Sequence, residues 1–172
     1  RAGPILIDTG YTPHSVSAPG RSLGLRAYSR ILGPRLVDDG QPEAVLSRFN
    51  VRPSEVRHVV VTHFHADHIS GLSPFPNARF LAGAEAWNSV RSKSRADNLR
   101  HGIFPELLPP DFADRLGLIE MAAEVRSGLG AARDLLGDGS MLSVPLPGHA
   151  DGHFGLLFPL SETPLLYAVD AQ

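Results

Sequence analysis

The chain contains no cysteine. That excludes a disulfide framework and any thiolate metal ligand, and it makes no case for Cu(I) or an iron–sulfur cluster. It is compatible with the cytoplasm, where we expect the protein. No stretch approaches the ~20 consecutive apolar residues that span a bilayer, so no membrane partner is expected. The opening Arg1-Ala2-Gly3-Pro4 carries no signal-peptide pattern. A marked excess of one charge is missing too. The formal net charge is −2, whereas a general nucleic-acid binder is usually basic. The one local basic excess, Arg91, Lys93, Arg95 and Arg100, reads as a solvated helix face. What is present is an ordinary globular balance, 42% hydrophobic and 20% charged over 172 residues. That length can bury a sizeable core. With no repeat, low-complexity tract or linker, residues 1–172 are read as a single domain.

The order of elements points to an α/β fold. Residues 4–8 read as a buried strand ending in Asp8-Thr9-Gly10. A loop-rich stretch follows over 11–41, with a short helix at 26–32. Pro42 opens a helix at a first-turn position and Asn50 is a plausible stop. Residues 56–61 form a short, β-branched strand, and 79–81 another. Residues 83–136 look helical and uneven, which gives a helical insert. Strands are expected over 141–146, where Pro145 suggests an edge or irregular strand, and over 153–158 and 165–169. Both ends fall in or near strands, the pattern expected of a piece of a longer chain.

The densest chemistry lies in Thr62-His63-Phe64-His65-Ala66-Asp67-His68. Residues two apart in an extended chain share a side and lie ~6.5 Å apart, so His63 and His65 can reach one ion. Asp67 and His68 are adjacent and diverge, so they can serve a second ion beside the first. Imidazole and carboxylate suit Zn, Fe, Mn or Ni. Further along, Pro147-Gly148-His149 can present an imidazole after a tight glycine turn. Asp170 ends an apolar strand, where its carboxylate can sit between two cations. His14, His58 and His101 carry no such pattern.

His63-x-His65-x-Asp67-His68 resembles the signature of the metallo-β-lactamase superfamily. Ile5-Leu6-Ile7-Asp8-Thr9-Gly10, Pro147-Gly148-His149 and Ala168-Val169-Asp170-Ala171 resemble its other motifs, in the family's order. The resemblance implies an αβ/βα sandwich (the metallo-β-lactamase fold) with two divalent metal ions, Zn2+ foremost, at one edge of the two sheets. It implies His63, His65 and His149 on one ion, Asp67 and His68 on the other, Asp170 bridging, and Asp8 as a buried support. The family's last metal-binding His, after the fourth motif, has no counterpart before Gln172, so the second ligand set is incomplete here. The strands that precede the Asp8 motif in the family are absent as well. Sheet edges left open in this way predict self-association into a homo-oligomer.

Water held between two cations loses a proton near neutral pH and attacks a carbonyl. Asp67 is the expected proton shuttle to the leaving group. The substrate is then a small molecule with an ester, lactone or thioester bond. True β-lactamases of the superfamily do not combine His68 with an Asp170-type bridge, and flavodiiron members carry Glu in place of His65. The apolar strand before Asp170-Ala171 and the long stretch between His68 and His149 resemble the quorum-quenching lactonase branch. The alternatives are a glyoxalase II-type thioesterase and a non-catalytic metallo-fold interaction module. Phe75, Phe80, Trp87, Leu99, Ile103, Phe104, Leu107 and Leu108 are candidates for an apolar acyl pocket, though core packing is the expected role for most of them.

Overall fold

The computed structural model describes residues 3–17, 20–121, 125–127, 130–160 and 162–171. Its first sheet is parallel and runs in chain order: β1 (Ile5–Ile7), β2 (His58–Val61), β3 (Arg79–Gly83) and β4 (Leu116–Ile119). Parallel strands need crossovers, and helices supply much of them. These are α1 (Pro13–Val16), α2 (Leu23–Leu32), α3 (Pro42–Arg48), α4 (Ala66–Ile69), α5 (Ala84–Ser92) and α6 (Arg95–Arg100). Local chemistry sets their ends. The Ser22 hydroxyl accepts from Leu25 N at 3.2 Å to start α2, and Gly33 ends it in the left-handed conformation.

The second sheet is antiparallel, in the order β5 (Val125–Ser127), β6 (Gly130–Asp134), β7 (Leu142–Pro145), β8 (Phe154–Phe158) and β9 (Leu165–Tyr167). The two-residue side-chain period of a strand divides the core. Val59 and Val61 turn to the helices, with Phe80, Leu25, Leu46 and Val90. Val60 turns the other way, with Ile119 of β4, toward Met141, Phe154 and Leu156 of the second sheet region. All three valines of β2 are fully buried, which contributes about 1.5–3 kcal/mol each. Helices, first sheet and second sheet thus form three successive layers of a two-sheet α/β sandwich. Both sheets present loops to one shared edge, and the histidines gather there.

Two expectations are corrected. Residues 83–136 are not helical throughout: α5 and α6 end at Arg100, and β4, β5 and β6 occupy much of 116–134. Leu116–Ile119 pairs with β3 in register Phe80 to Leu116 and Gly83 to Ile119. Tertiary pairing there overrides the helix propensity of Leu and Ala. Residues 122–124 and 128–129 of that stretch lie outside the described residues. Pro145 does not mark an edge. β7 is the central strand of its sheet, and Pro145 is its last residue, opposite Phe154, where a missing N–H costs the ladder little.

Candidate metal centre

β2 delivers the cluster. The strand ends at Val61, and Thr62 and His63 follow, both fully buried. His65 is the N-cap of α4, while Asp67 and His68 lie within this helix. The segment is tied down from two directions. Ala66 N donates to Gly102 O at 3.0 Å, and Thr9 N donates to His68 O at 3.0 Å. The Thr9 hydroxyl donates to the same carbonyl at 2.9 Å and accepts from Gly71 N at 3.0 Å.

Asp8 follows β1 and holds a positive φ of 54°, a conformation Asp tolerates better than most residues. Its Oδ1 accepts from Thr62 N at 2.9 Å and its Oδ2 from the Thr62 hydroxyl at 2.8 Å. That leaves a Thr62 lone pair facing His63 Nδ1, 3.2 Å away. With Nδ1 protonated toward Thr62, His63 Nε2 carries the free lone pair. Asp8 Oδ2 also lies 2.9 Å from His68 Nδ1, off the N–H axis, so that contact is one of charge more than of directed hydrogen bonding.

Two groups of potential ligands converge, His63 with His65 and His149, and His63 with His68 and Asp170. His65 Nδ1 lies 3.0 Å from both His63 Nε2 and His149 Nε2. Asp170 Oδ2 lies 3.0 Å from His68 Nε2, 3.7 Å from His63 Nε2 and 3.5 Å from His149 Nε2. Bonds of ~2.0–2.1 Å around a tetrahedral ion place ligand atoms ~3.3 Å apart, so these spacings fit a metal. The donor set fits as well: imidazole nitrogens facing one another with no proton to share between every pair need a cation among them. Asp67 stands outside both groups. Its Oδ2 is 3.5 Å from His68 Nε2, so the two side chains converge where the spacing suggested divergence. The α4 turn brings them together.

The electrostatics separate the imidazoles. Burial, then the neighbouring His68 and His65, drives His63 far below its ordinary range. Burial and His149 lower His65 to about 4. Burial also opposes charge on His68, but Asp67 and Asp8 outweigh it and push that group up to about 10. For Asp67, burial favours the neutral acid, yet His68 holds the carboxyl below its usual range.

His149 and Asp170 come from the second sheet. Gly148 takes φ 132°, open to glycine alone, in the loop between β7 and β8. Asp170 follows Val169, whose φ of 53° is a strained value for a β-branched residue; such strain costs ~1–3 kcal/mol and gathers at functional sites. His153 carries no metal-site assignment from the sequence. It is 2% exposed, with its ring centroid 5.0 Å from that of His63. Its Nδ1 donates to Leu146 O at 2.9 Å, and Leu146 N donates to His153 O at 3.0 Å, which closes the His149 loop at its base. The available signal was a second imidazole four residues after His149. Thr62 was equally unmarked. His101, left without a role, borders a cavity of about 490 Å³ beside His65 and His149. Glu85, Ser89, Lys93 and Asp151 also line it. Of the expected acyl-pocket residues, Ile103 is on that wall, while Phe75, Phe80, Phe104 and Leu107 are buried in the helix-side core.

The sequence profile of the metallo-beta-lactamase superfamily matches residues 1–162. The chain belongs to the metallo-β-lactamase superfamily. It is 32% identical to a probable metallo-hydrolase of Mycobacterium tuberculosis over 98% of this chain and 53% of that protein. It is 27% identical to the N-acyl homoserine lactonase AttM of Azorhizobium caulinodans, over 98% of this chain and 60% of that protein. The chain thus spans little more than half the length of these curated relatives. A solved N-acyl homoserine lactone hydrolase, with N-hexanoyl-L-homoserine bound at its catalytic metal centre, superposes with a TM-score of 0.70. The two are 20% identical, and the match covers 98% of this chain and 59% of that one. This superfamily member therefore has the metallo-β-lactamase fold and lactonases among its relatives. Among the described residues no helix is long and apolar enough to cross a membrane.

Proposed function

We propose that the protein is a dinuclear metal-dependent hydrolase that opens ester bonds, with lactones as the substrate class. The observation that carries this is the pair of ligand groups joined at His63, with Asp170 within 3.7 Å of an imidazole nitrogen of each. The family membership and the lactonase relatives support it. In this reading His63, His65 and His149 hold one ion, His68 and Asp67 the second, and Asp170 bridges them; zinc suits the donors. When bound, the ions supply a Lewis acid for the carbonyl and a water acidic enough to act as nucleophile near neutral pH. Asp8 and Thr62 fix the rings of His68 and His63. Buried Phe64 and Ile103 form part of the apolar cavity wall that shields the reacting bond from bulk water.

Asp67 is the residue proposed to move a proton. Its carboxylate is held ionised beside His68, so its oxygen can take a proton and deliver it to the leaving alkoxide. The test is hydrolysis of a lactone and thioester panel by the zinc-loaded chain. Lactones should be turned over fastest, and Asp67→Asn should lower kcat by ~100-fold or more with metal content retained. A metal-loaded chain inert to every ester, or Asp67→Asn at the wild-type rate, would refute the respective role.

A further inference from the structure

Lys93 is the sole lysine of the chain. It sits one residue past α5, in line with Glu85 and Ser89 at four-residue spacing. All three border the cavity next to His65 and His149. Lys93 Nζ donates to Asp151 Oδ2 at 2.6 Å, and the Ser89 hydroxyl donates to the same oxygen at 2.6 Å. Asp151 is two residues from His149, on the loop between β7 and β8.

That loop meets α5 a second time. Gly152 has φ +63°, and a Cβ there would stand 2.5 Å from Ala86 N and 3.0 Å from the Ala86 Cβ. A helix that grows directly out of β3 thus grips a loop of the other sheet, on the two residues that end the turn carrying His149. The histidine trio needs this registration. His63 and His65 follow β2 of the first sheet, and His149 belongs to the second. Residues 146–153 contain no helix or strand of their own to fix it.

We propose that Asp151, held by Ser89 and Lys93, is a positioning residue that sets His149 against His63 and His65 for the first ion. The inference rests on the metal reading above. With side-chain exposures of 28% and 55%, Lys93 and Asp151 would elsewhere be a surface ion pair of little consequence. Here both donors converge on one carboxylate oxygen, and that carboxylate belongs to the loop that carries a ligand. Partners of this outer kind typically govern metal affinity by 10–100-fold.

The test loads the whole chain with cobalt(II), whose visible absorption reports the ligand geometry of each ion, and measures zinc affinity by chelator competition. Asp151→Ala should weaken one of the two ions by ~10–100-fold and change the cobalt absorption of that ion, with the other ion unchanged. Lys93→Met should do the same to a smaller extent, and Lys93→Arg should restore the wild-type spectrum. Should Asp151→Ala fail to fold, Asp151→Asn and Lys93→Met carry the same readout with side-chain volume kept. Variants with wild-type affinity and spectrum would overturn the inference, as would equal loss of both ions in protein with native circular dichroism. A wild-type chain that binds no ion overturns the metal reading and this inference together; two ions of wild-type affinity and spectrum in every variant overturn this inference alone.

Discussion

Of two imidazoles three residues apart, His65 is held down at about 4 and His68 is pushed up to about 10. Both are withdrawn from water. His65 faces His149 and His63, 3.0 Å away through ring nitrogens. His68 has Asp8, Asp67 and Asp170 within 3.5 Å. The metal-free protein therefore keeps one half of the centre neutral, with lone pairs free for a cation. It fills the other half with a proton that carboxylates stabilise. Carboxylates create this asymmetry, Asp67 together with Asp8, which the fold places behind His68.

The sharpest way to break the comparison is to remove the fully buried ligand of the histidine trio. His63→Ala should abolish binding of the ion it shares with His65 and His149, by more than the ~100-fold seen for outer partners, and hydrolysis with it; equilibrium dialysis with metal analysis checks this. Asp170→Ala should separate the halves. The His63, His65 and His149 group keeps its ion, and the His68 side loses its own. Asp8→Asn comes next, weakening the ion at His68 by ~10–100-fold and leaving the other unchanged, as read by zinc competition.

Protons give a smaller and more graded contrast. Metal displaces the proton on His68 but finds none on His65 at neutral pH, and a displaced proton changes affinity about tenfold per pH unit. Zinc affinity at the His68 side should rise steadily from pH 7 toward about 10, while that of the histidine trio stays flat. Equal slopes would erase the distinction.

The weakest effect lies in the stability of the metal-free fold. The lowered His65 contributes stability that is full above 6.5 and lost as pH falls through about 4. The raised His68 contributes stability that is full below 6.5 and lost as pH rises through about 10. Chelator-treated protein should thus melt at lower temperature toward either extreme, measured by circular dichroism.

How much of this was legible in the chain depends on how local the signal is. The candidate ligands could be read because parallel strands are buried on both faces and appear as apolar runs. Chemistry placed just after such a run, as at Asp8 and His63, stands out against it, and Asp170 follows the apolar residues of antiparallel β9. β4 and β6 were hidden because Leu-Gly-Leu-Ile and Gly-Ala-Ala-Arg-Asp are short and carry no β-branched run; their pairing partners, not their composition, make them strands. Among the apolar residues of 75–108, core packing was the expected role for most, and the few on a pocket wall could not be told apart from them. A hydrophobic side chain has the same signature in a core as in a pocket, and the helix-side core claimed most of them. Thr62, His153 and Asp151 act through contacts with Asp8, Leu146 and Lys93, and in two of the three cases the partner is more than fifty residues away.

The most direct measurement is the metal content of the purified zinc-supplied chain, wild type beside His63→Ala, by inductively coupled plasma mass spectrometry. The two ligand groups predict two equivalents of zinc in the wild type and no more than one in the variant. A wild-type chain without stoichiometric metal, or a variant that retains as much as the wild type, would contradict the account.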